Sequence, residues 1–288
     1  MKILVTGASG QLGAEIRNLS KSSEHDFIFT DLKASEEGVV ILDVTDETQV
    51  DNEVADGVDV IVNCAAYTNV NAAEADEETA YKVNAYAAGL LASAASRNGA
   101  HLIHISTDYV FDGKANTPYQ EDFQPAPINA YGRTKLAGEQ KVIESGCRYM
   151  IFRTSWLYSK HGHNFYNTMA EKCAGMPQVN VVVDQIGTPT FAGDLAFLIM
   201  HIIEEGLLDR TGLYNYSNEG VASWYDFAKE INDSLGYSCR VVPCCSSDYP
   251  SAAERPAYSV LDKKKVKDTF GIEIPHWRES LRLMTTEL

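Results

Sequence analysis

Tyr131 and Lys135 in "YGRTK" stand four residues apart, so on a helix both side chains share one face. A phenol titrates near ~10, and an ammonium beside it favours the phenolate, so such a pair can move a proton at neutral pH. About two dozen residues earlier the apolar "HLIHI" breaks into "STDYVFDG", Ser106 to Gly113. Apolar residues followed at once by Thr107, Asp108 and Tyr109 read as a buried strand ending at a polar rim. A hydroxyl such as Thr107 can hold a carbonyl oxygen while Tyr131 supplies its proton. A Tyr and a Lys at this spacing also occur by chance on helix surfaces, so the pair needs a frame that places it.

That frame starts at "VTGASGQLG", where Gly7, Gly10 and Gly13 follow a strand and open a helix. The three glycines suit a tight turn, a close approach to a pyrophosphate and helix-on-strand packing. Asp31 in "FIFTDLK" ends the next strand about 20 residues later, where a carboxylate accepts from the ribose 2′-hydroxyl of NAD. Lys33 offers partial compensation for the 2′-phosphate of NADP, so both NADPH and NADH stay open. Asp43 and Val44 in "LDVTD" sit where an adenine could be met, or form a solvated turn. Ala65 and Ala66 in "NCAAYT" would let a dinucleotide backbone pass, or mark tight strand–helix packing.

The elements that must carry these residues are legible as apolar runs. "KILVTG", "FIFTD", "VVILD", "VDVIVNCAA", "HLIHIST", "YMIFRTS" and "VNVVVDQ" alternate with helical stretches, and Asn71 to Asn98 reads as one crossover helix. The fold class is α/β, a doubly wound parallel sheet of Rossmann type with a smaller, discontinuous C-terminal lobe. The expected division is 1–160 for the dinucleotide-binding part, completed by part of 176–215, and 161–288 for the lobe. Gly162 to Gly175 already reads as a helix inserted for that lobe. The formal net charge of −16 argues against nucleic acid and against an anionic membrane surface as partner. No signal peptide and no spanning run are read, so a cytoplasmic location is expected. The six cysteines form no C-x-x-C pair, and the neighbours Cys244 and Cys245 lack the companions of a zinc site.

Taken together these residues resemble the extended short-chain dehydrogenase/reductase superfamily. "STDYVFDG", "YGRTKLAGE", "FRTSWLY", "DQIGTPT" and "RPAYSVLD" are similar, in order and character, to the dTDP-4-dehydrorhamnose reductases. The resemblance implies an NADPH- or NADH-dependent reduction of a nucleotide-sugar C4 ketone, for rhamnose used in surface polysaccharide. It implies that Thr107, Tyr131 and Lys135 are catalytic, with Thr107, Asp108, Tyr109 and Trp156 near the sugar. Gly10, Gln11, Leu12, Asp31, Asp43, Val44, Ala66, Tyr67 and Thr68 match cofactor-contacting positions, and Tyr131 and Lys135 also touch the nicotinamide ribose. Trp156 would lend the sugar an apolar face, although a Trp after a strand is often core. Arg255 would pair the substrate diphosphate or form a surface salt bridge. A homodimer is open, and Mg²⁺, used by some members at a dimer contact, has no support in the sequence. Asn71 stands where the family commonly has Asp, and Tyr258 where it usually has Asn. Two other readings are carried: a different nucleotide-sugar reductase or epimerase, and a non-catalytic dinucleotide-binding subunit, which would be expected to lack the Tyr or Lys. Dehydratases of the superfamily follow the Thr with Asp-Glu, whereas here Asp108 is followed by Tyr109.

Overall fold

Strand β1 (Lys2–Thr6) is buried beyond its first residue because it lies inside a parallel sheet covered on both faces. The computed structural model describes residues 1–34 and 36–286. The sheet runs β11 (Gly212–Asn215), β6 (Arg148–Thr154), β5 (His101–Thr107), β4 (Val60–Asn63), β1, β2 (Asp26–Asp31), β3 (Val39–Ile41), and every neighbouring pair is parallel. The chain steps outward from β1 to β3 and then returns to place β4 on the other side of β1. That reversal opens a crevice at the C-terminal strand ends, where sheets of this kind bind ligands.

One face is covered by α1 (Gln11–Leu19) and α8 (Ala192–Glu204), which bury Ile3, Val5, Ile16, Val62 and Ile199 together. Helix α10 (Lys264–Phe270) joins the same core through Val266 and Phe270. The other face carries α2 (Glu47–Ala55), α5 (Ala87–Asn98) and α6 (Ala130–Glu144), packed through Leu4, Val50, Leu91, Val142 and Ile151. Each such aliphatic side chain contributes about 1.5–3 kcal/mol when fully buried.

Two expected elements differ. The stretch expected as one helix from Asn71 to Asn98 is α3 (Val70–Ala75), α4 (Glu77–Tyr81), a π-turn over Lys82–Tyr86 and then α5. Asp76 breaks it, because its non-helical backbone (φ −142°, ψ 71°) lets its carboxylate cap the Thr79 N–H at 3.0 Å. "VNVVVDQ" is not a main-sheet strand. Its β8 (Gln178–Val182) pairs with β13 (Arg240–Cys244) in the small lobe, and the seventh strand is β11, which starts at Gly212 and runs into "LYNYSN". The reason lies in its burial, which alternates along Gln178 to Val181 as suits a strand covered on one face only.

The small lobe adds two short pairings, β7 (Leu157–Tyr158) with β10 (Thr190–Phe191) and β9 (Ile186–Gly187) with β12 (Ala222–Ser223). Its helices α7 (Phe165–Gly175), α9 (Trp224–Ser234) and α11 (Trp277–Thr286) pack round Tyr158, Tyr166, Phe227, Ile231, Trp277 and Leu281. Helix α9 starts at a capping box in which Ser223 and Asp226 satisfy each other's backbone N–H.

The close seating of α1 on β1 yields a test. A Cβ on Gly13 would lie 2.5 Å from the Gly7 carbonyl oxygen and 2.6 Å from the Ala8 Cα, so Gly13→Ala must push the helix off the strand. We expect a loss of about 1–3 kcal/mol in denaturant unfolding. Gly175→Ala, which meets nothing within 4 Å, should stay within about 0.5 kcal/mol of the parent.

Candidate active site

The crevice widens into a cleft of about 760 Å³ that runs from the ends of β1 and β2 to the small lobe. That volume suits a dinucleotide-sized or drug-sized ligand, for which pockets run to roughly 300–1,000 Å³. Gly7, at φ 67°, turns the chain out of β1 where a Cβ would lie 2.6 Å from the Ala65 nitrogen. Gly10 then starts α1 with no side-chain cap, so the N–H groups at Gln11 and Leu12 open onto the cleft with the positive end of the helix dipole. Asp31 is fixed by accepting the Ser9 N–H at 3.0 Å. Asp43 accepts from the Thr45 N–H at 2.8 Å and its hydroxyl at 2.7 Å, which shapes the turn carrying Val44. Asn84, set in the π-turn, grips Tyr67 by its N–H at 2.8 Å and its carbonyl at 3.1 Å, and so holds the Ala65–Thr68 loop.

Every site residue named from the sequence lines this cleft except Gly13, whose part is packing, and Lys33, which is exposed outside it. Gln11 does more than border it. Its side chain reaches the small lobe, donating to the Leu157 carbonyl at 3.3 Å and accepting from Asn164 at 2.9 Å. Tyr258 lies outside the cleft, tilted against Tyr119, and Asn71 accepts from Ser251 at 2.8 Å and so tethers the loop leading to Arg255.

At the far end Thr107, Tyr131 and Lys135 meet. The Thr107 hydroxyl donates to Asp108 at 3.0 Å and accepts the Tyr109 N–H at 3.2 Å, while the Tyr109 and Tyr131 rings meet edge to face. Helix α6 comes this close because a side chain at Gly132 would overlap the Tyr109 carbonyl. Asn129 caps that helix by accepting the Gly132 N–H at 2.8 Å and donates to the Glu254 carbonyl at 2.8 Å, beside Arg255. Lys135 donates to the Ile105 carbonyl at 2.5 Å.

Burial governs the charges here. It pushes Lys135 down to about 8, against the raising pull of Glu139 and Cys64. It pushes Tyr131 up, and only the Thr107 hydrogen bond opposes it. In this arrangement, with the Lys135 ammonium engaged by a carbonyl, desolvation outweighs any lowering of the Tyr131 phenol by Lys135. Asp108 is driven up to about 7 by burial, with the Ser259 and Thr107 hydroxyls pulling the other way, and its second carboxyl oxygen has no partner among the described residues. Tyr109 is raised to about 12 by burial, although Arg255 approaches its hydroxyl at 3.4 Å.

The aromatic end also departs from expectation. Trp156 sits at φ 48°, a strained conformation for a residue with a side chain. Its indole lies between the Gly187 backbone and Trp224, whose ring stacks on it at 3.6 Å and 8°. Phe165 packs on Trp224 in turn at 4.5 Å. The face that Trp156 was expected to offer a sugar is thus covered by Trp224, which the sequence reading missed. Asn84 and Gly132 were missed too; Gly132 lies inside "YGRTK" and carried a signal, whereas Asn84 carried none. All six thiols are free, and no group of three or more metal-ligating side chains occurs among the described residues.

The RmlD substrate binding domain family model matches residues 1–288. A dTDP-4-dehydrorhamnose reductase of Burkholderia thailandensis is 38% identical over 100% of this chain and 99% of its own length. A crystal structure of a dTDP-4-dehydrorhamnose reductase from Clostridium acetobutylicum is similar with TM-score 0.93 and 40% identity, covering 100% of this chain and 99% of that one. A Bacillus anthracis dTDP-4-dehydrorhamnose reductase, solved in complex with NADP, gives 0.92 and 38% over the same shares.

Asp108 makes stability depend on pH. Its folded pKa stands above the ordinary 3.8, so the folded chain holds the proton more tightly than the unfolded one. The cost of burying the carboxylate is absent below about pH 4, grows as pH rises towards about 7, and levels off above it. Asp108→Asn has no proton to lose. Its stability relative to the parent should therefore rise between about pH 4 and pH 8 in denaturant melts, and a flat difference would place Asp108 in a wetter site.

Proposed function

The chain belongs to the dTDP-4-dehydrorhamnose reductase family, and from that membership we propose that it reduces the C4 ketone of dTDP-4-dehydro-L-rhamnose to give dTDP-L-rhamnose. The observation that carries this reading is the meeting of Thr107, Tyr131 and Lys135 on the wall of one cleft whose other end is shaped for a dinucleotide.

The cofactor in this reading is NADPH or NADH, and the residues present fit it. The turn at Gly7 leaves no room for a Cβ, the α1 N-terminus is uncapped, and Ala65 and Ala66 keep the passage shallow. Asp31 would hold the adenosine ribose, Asp43 and Val44 would flank the adenine, and Lys135 would reach the nicotinamide ribose. When bound, the reduced nicotinamide supplies hydride to the ketone carbon.

Everything else falls to the chain. Thr107, by turning its one hydroxyl proton from Asp108 to the substrate, donates a hydrogen bond that orients the ketone oxygen. Tyr131, kept in its phenol form by burial, starts with the proton that this oxygen needs. The Lys135 charge then stabilises the phenolate left behind. Asp108, raised to about 7, is partly protonated near neutrality and so adds less negative charge beside that phenolate than an ordinary carboxylate would. Arg255, at the mouth of the site, suits the diphosphate of the substrate and offsets the acidic net charge of the chain. Tyr109, raised to about 12, is a poor base for a carbon-bound proton, which supports reduction over dehydration. Free thiols in all six cysteines fit a reducing compartment, and we place the enzyme in the cytoplasm.

Tyr131→Phe should keep cofactor binding and lose ~10²–10⁴-fold in the rate of reduction, because only the transferable proton is removed. The parent protein should oxidise NADPH with dTDP-4-dehydro-L-rhamnose and leave dTDP-glucose with NAD⁺ unchanged. Dehydration of dTDP-glucose without reduction of the 4-keto sugar would overturn the reading. Faster turnover of another 4-keto sugar would move the assignment to a different nucleotide-sugar reductase.

A further inference from the structure

One turn beyond Lys135 on α6 stands Glu139, and both side chains are fully buried. Glu139 takes a fork from Arg153 of β6, Nε to Oε1 at 2.9 Å and Nη2 to Oε2 at 2.7 Å. It also accepts from the Ser106 hydroxyl at 2.5 Å. Ser106 follows Ile105, whose carbonyl holds the Lys135 ammonium. Two successive residues of β5 are thus tied to two residues one turn apart on α6. Arg153 is fixed in turn by the Glu121 carbonyl at 3.2 Å and by the Phe111 ring beneath its guanidinium at 5.0 Å.

Among the described residues no carboxylate touches Lys135 directly. We infer that Glu139 is a positioning residue for the reduction: gripped by Arg153 and Ser106, it supplies the buried countercharge that keeps the Lys135 ammonium protonated and aligned at the cleft floor. This rests on the reductase reading above. Among the described residues, the elements packed around Lys135 offer nothing else that is firmly negative. Cys64, after β4, is a neutral thiol raised to about 12, and His104 of β5 is held neutral by burial. Tyr131 is a phenol, Arg153 is cationic, and Asp108 titrates near 7. The Arg153 fork keeps Glu139 from swinging to contact Lys135, so the ammonium stays on the Ile105 carbonyl and remains available to the ribose.

The test is the pH dependence of NADPH affinity, read by cofactor fluorescence on the purified protein without substrate. In the parent, affinity should fall as Lys135 loses its proton, around pH 8. Glu139→Gln should move that midpoint down by about one unit or more, with the same displacement in the alkaline limb of kcat/KM. Glu139→Asp, which keeps the charge, should restore the parent midpoint. Lys135→Met should lack the transition, which separates it from Asp108. If Glu139→Gln fails to fold because Arg153 is left unpaired, Glu139→Gln/Arg153→Met removes both charges and should still move the midpoint down, by less than the single variant because the Arg153 cation, which disfavours the Lys135 ammonium, is removed as well. An unmoved midpoint in the folded variant, or a transition that survives in Lys135→Met, overturns the inference. A parent protein that binds neither NADPH nor NADH overturns the reductase reading and this inference with it.

Discussion

The site depends on how closely α6 lies against the end of β5. At Gly132 and again at Gly138 a side chain would overlap backbone, of Tyr109 and of Asn84 respectively, so the helix is seated against the strand end and the π-turn together. That seating brings Tyr131 beside Thr107 and drives Lys135 under the strand end. It also buries these side chains, and the electrostatics follow from that burial. Asp108, Tyr109, Tyr131 and Lys135 all have pKa values moved by burial first and by neighbours second.

In such a setting each remaining charge needs an assigned partner. Arg153 and Glu139 satisfy each other in a bidentate fork, which is the geometry that makes a buried pair tolerable. Lys135 has a carbonyl instead of a carboxylate, and so keeps donors that a direct ion pair would occupy. Asp108 meets the same pressure by holding its proton more tightly than an ordinary carboxyl. The result is a site in which Tyr131 keeps its proton and the Lys135 ammonium is poised for negative charge that develops during reaction.

Specific contacts couple the second lobe to this floor. Gln11 spans from α1 to Leu157 and Asn164, so the helix that begins the dinucleotide cradle also anchors the chain where it leaves for the lobe. The Trp156–Trp224–Phe165 stack closes the opposite end with side chains from the end of the Rossmann part and from both α9 and α7. Arg255 is carried between, on a loop tied through Asn71 and Asn129.

The sequence alone determined the parts whose physics is local. Apolar runs of strand length marked six of the seven sheet strands, and the glycine turn with Asp31 marked the cradle. The four-residue spacing put Tyr131 and Lys135 on one helical face. What it could not decide were matters of which surface meets which. "VNVVVDQ" is as apolar as a sheet strand, and only the lobe that covers one of its faces makes it β8. Asp76 interrupts a stretch of good helix formers because its carboxylate finds a backbone N–H. Trp156 loses the face expected of it because Trp224, 68 positions on, lies against it. The charge states of Tyr131, Lys135 and Asp108 belong to the tertiary structure for the same reason: desolvation is set by atoms brought from β4, β5, β6 and α6 at once, and no window of sequence contains them all.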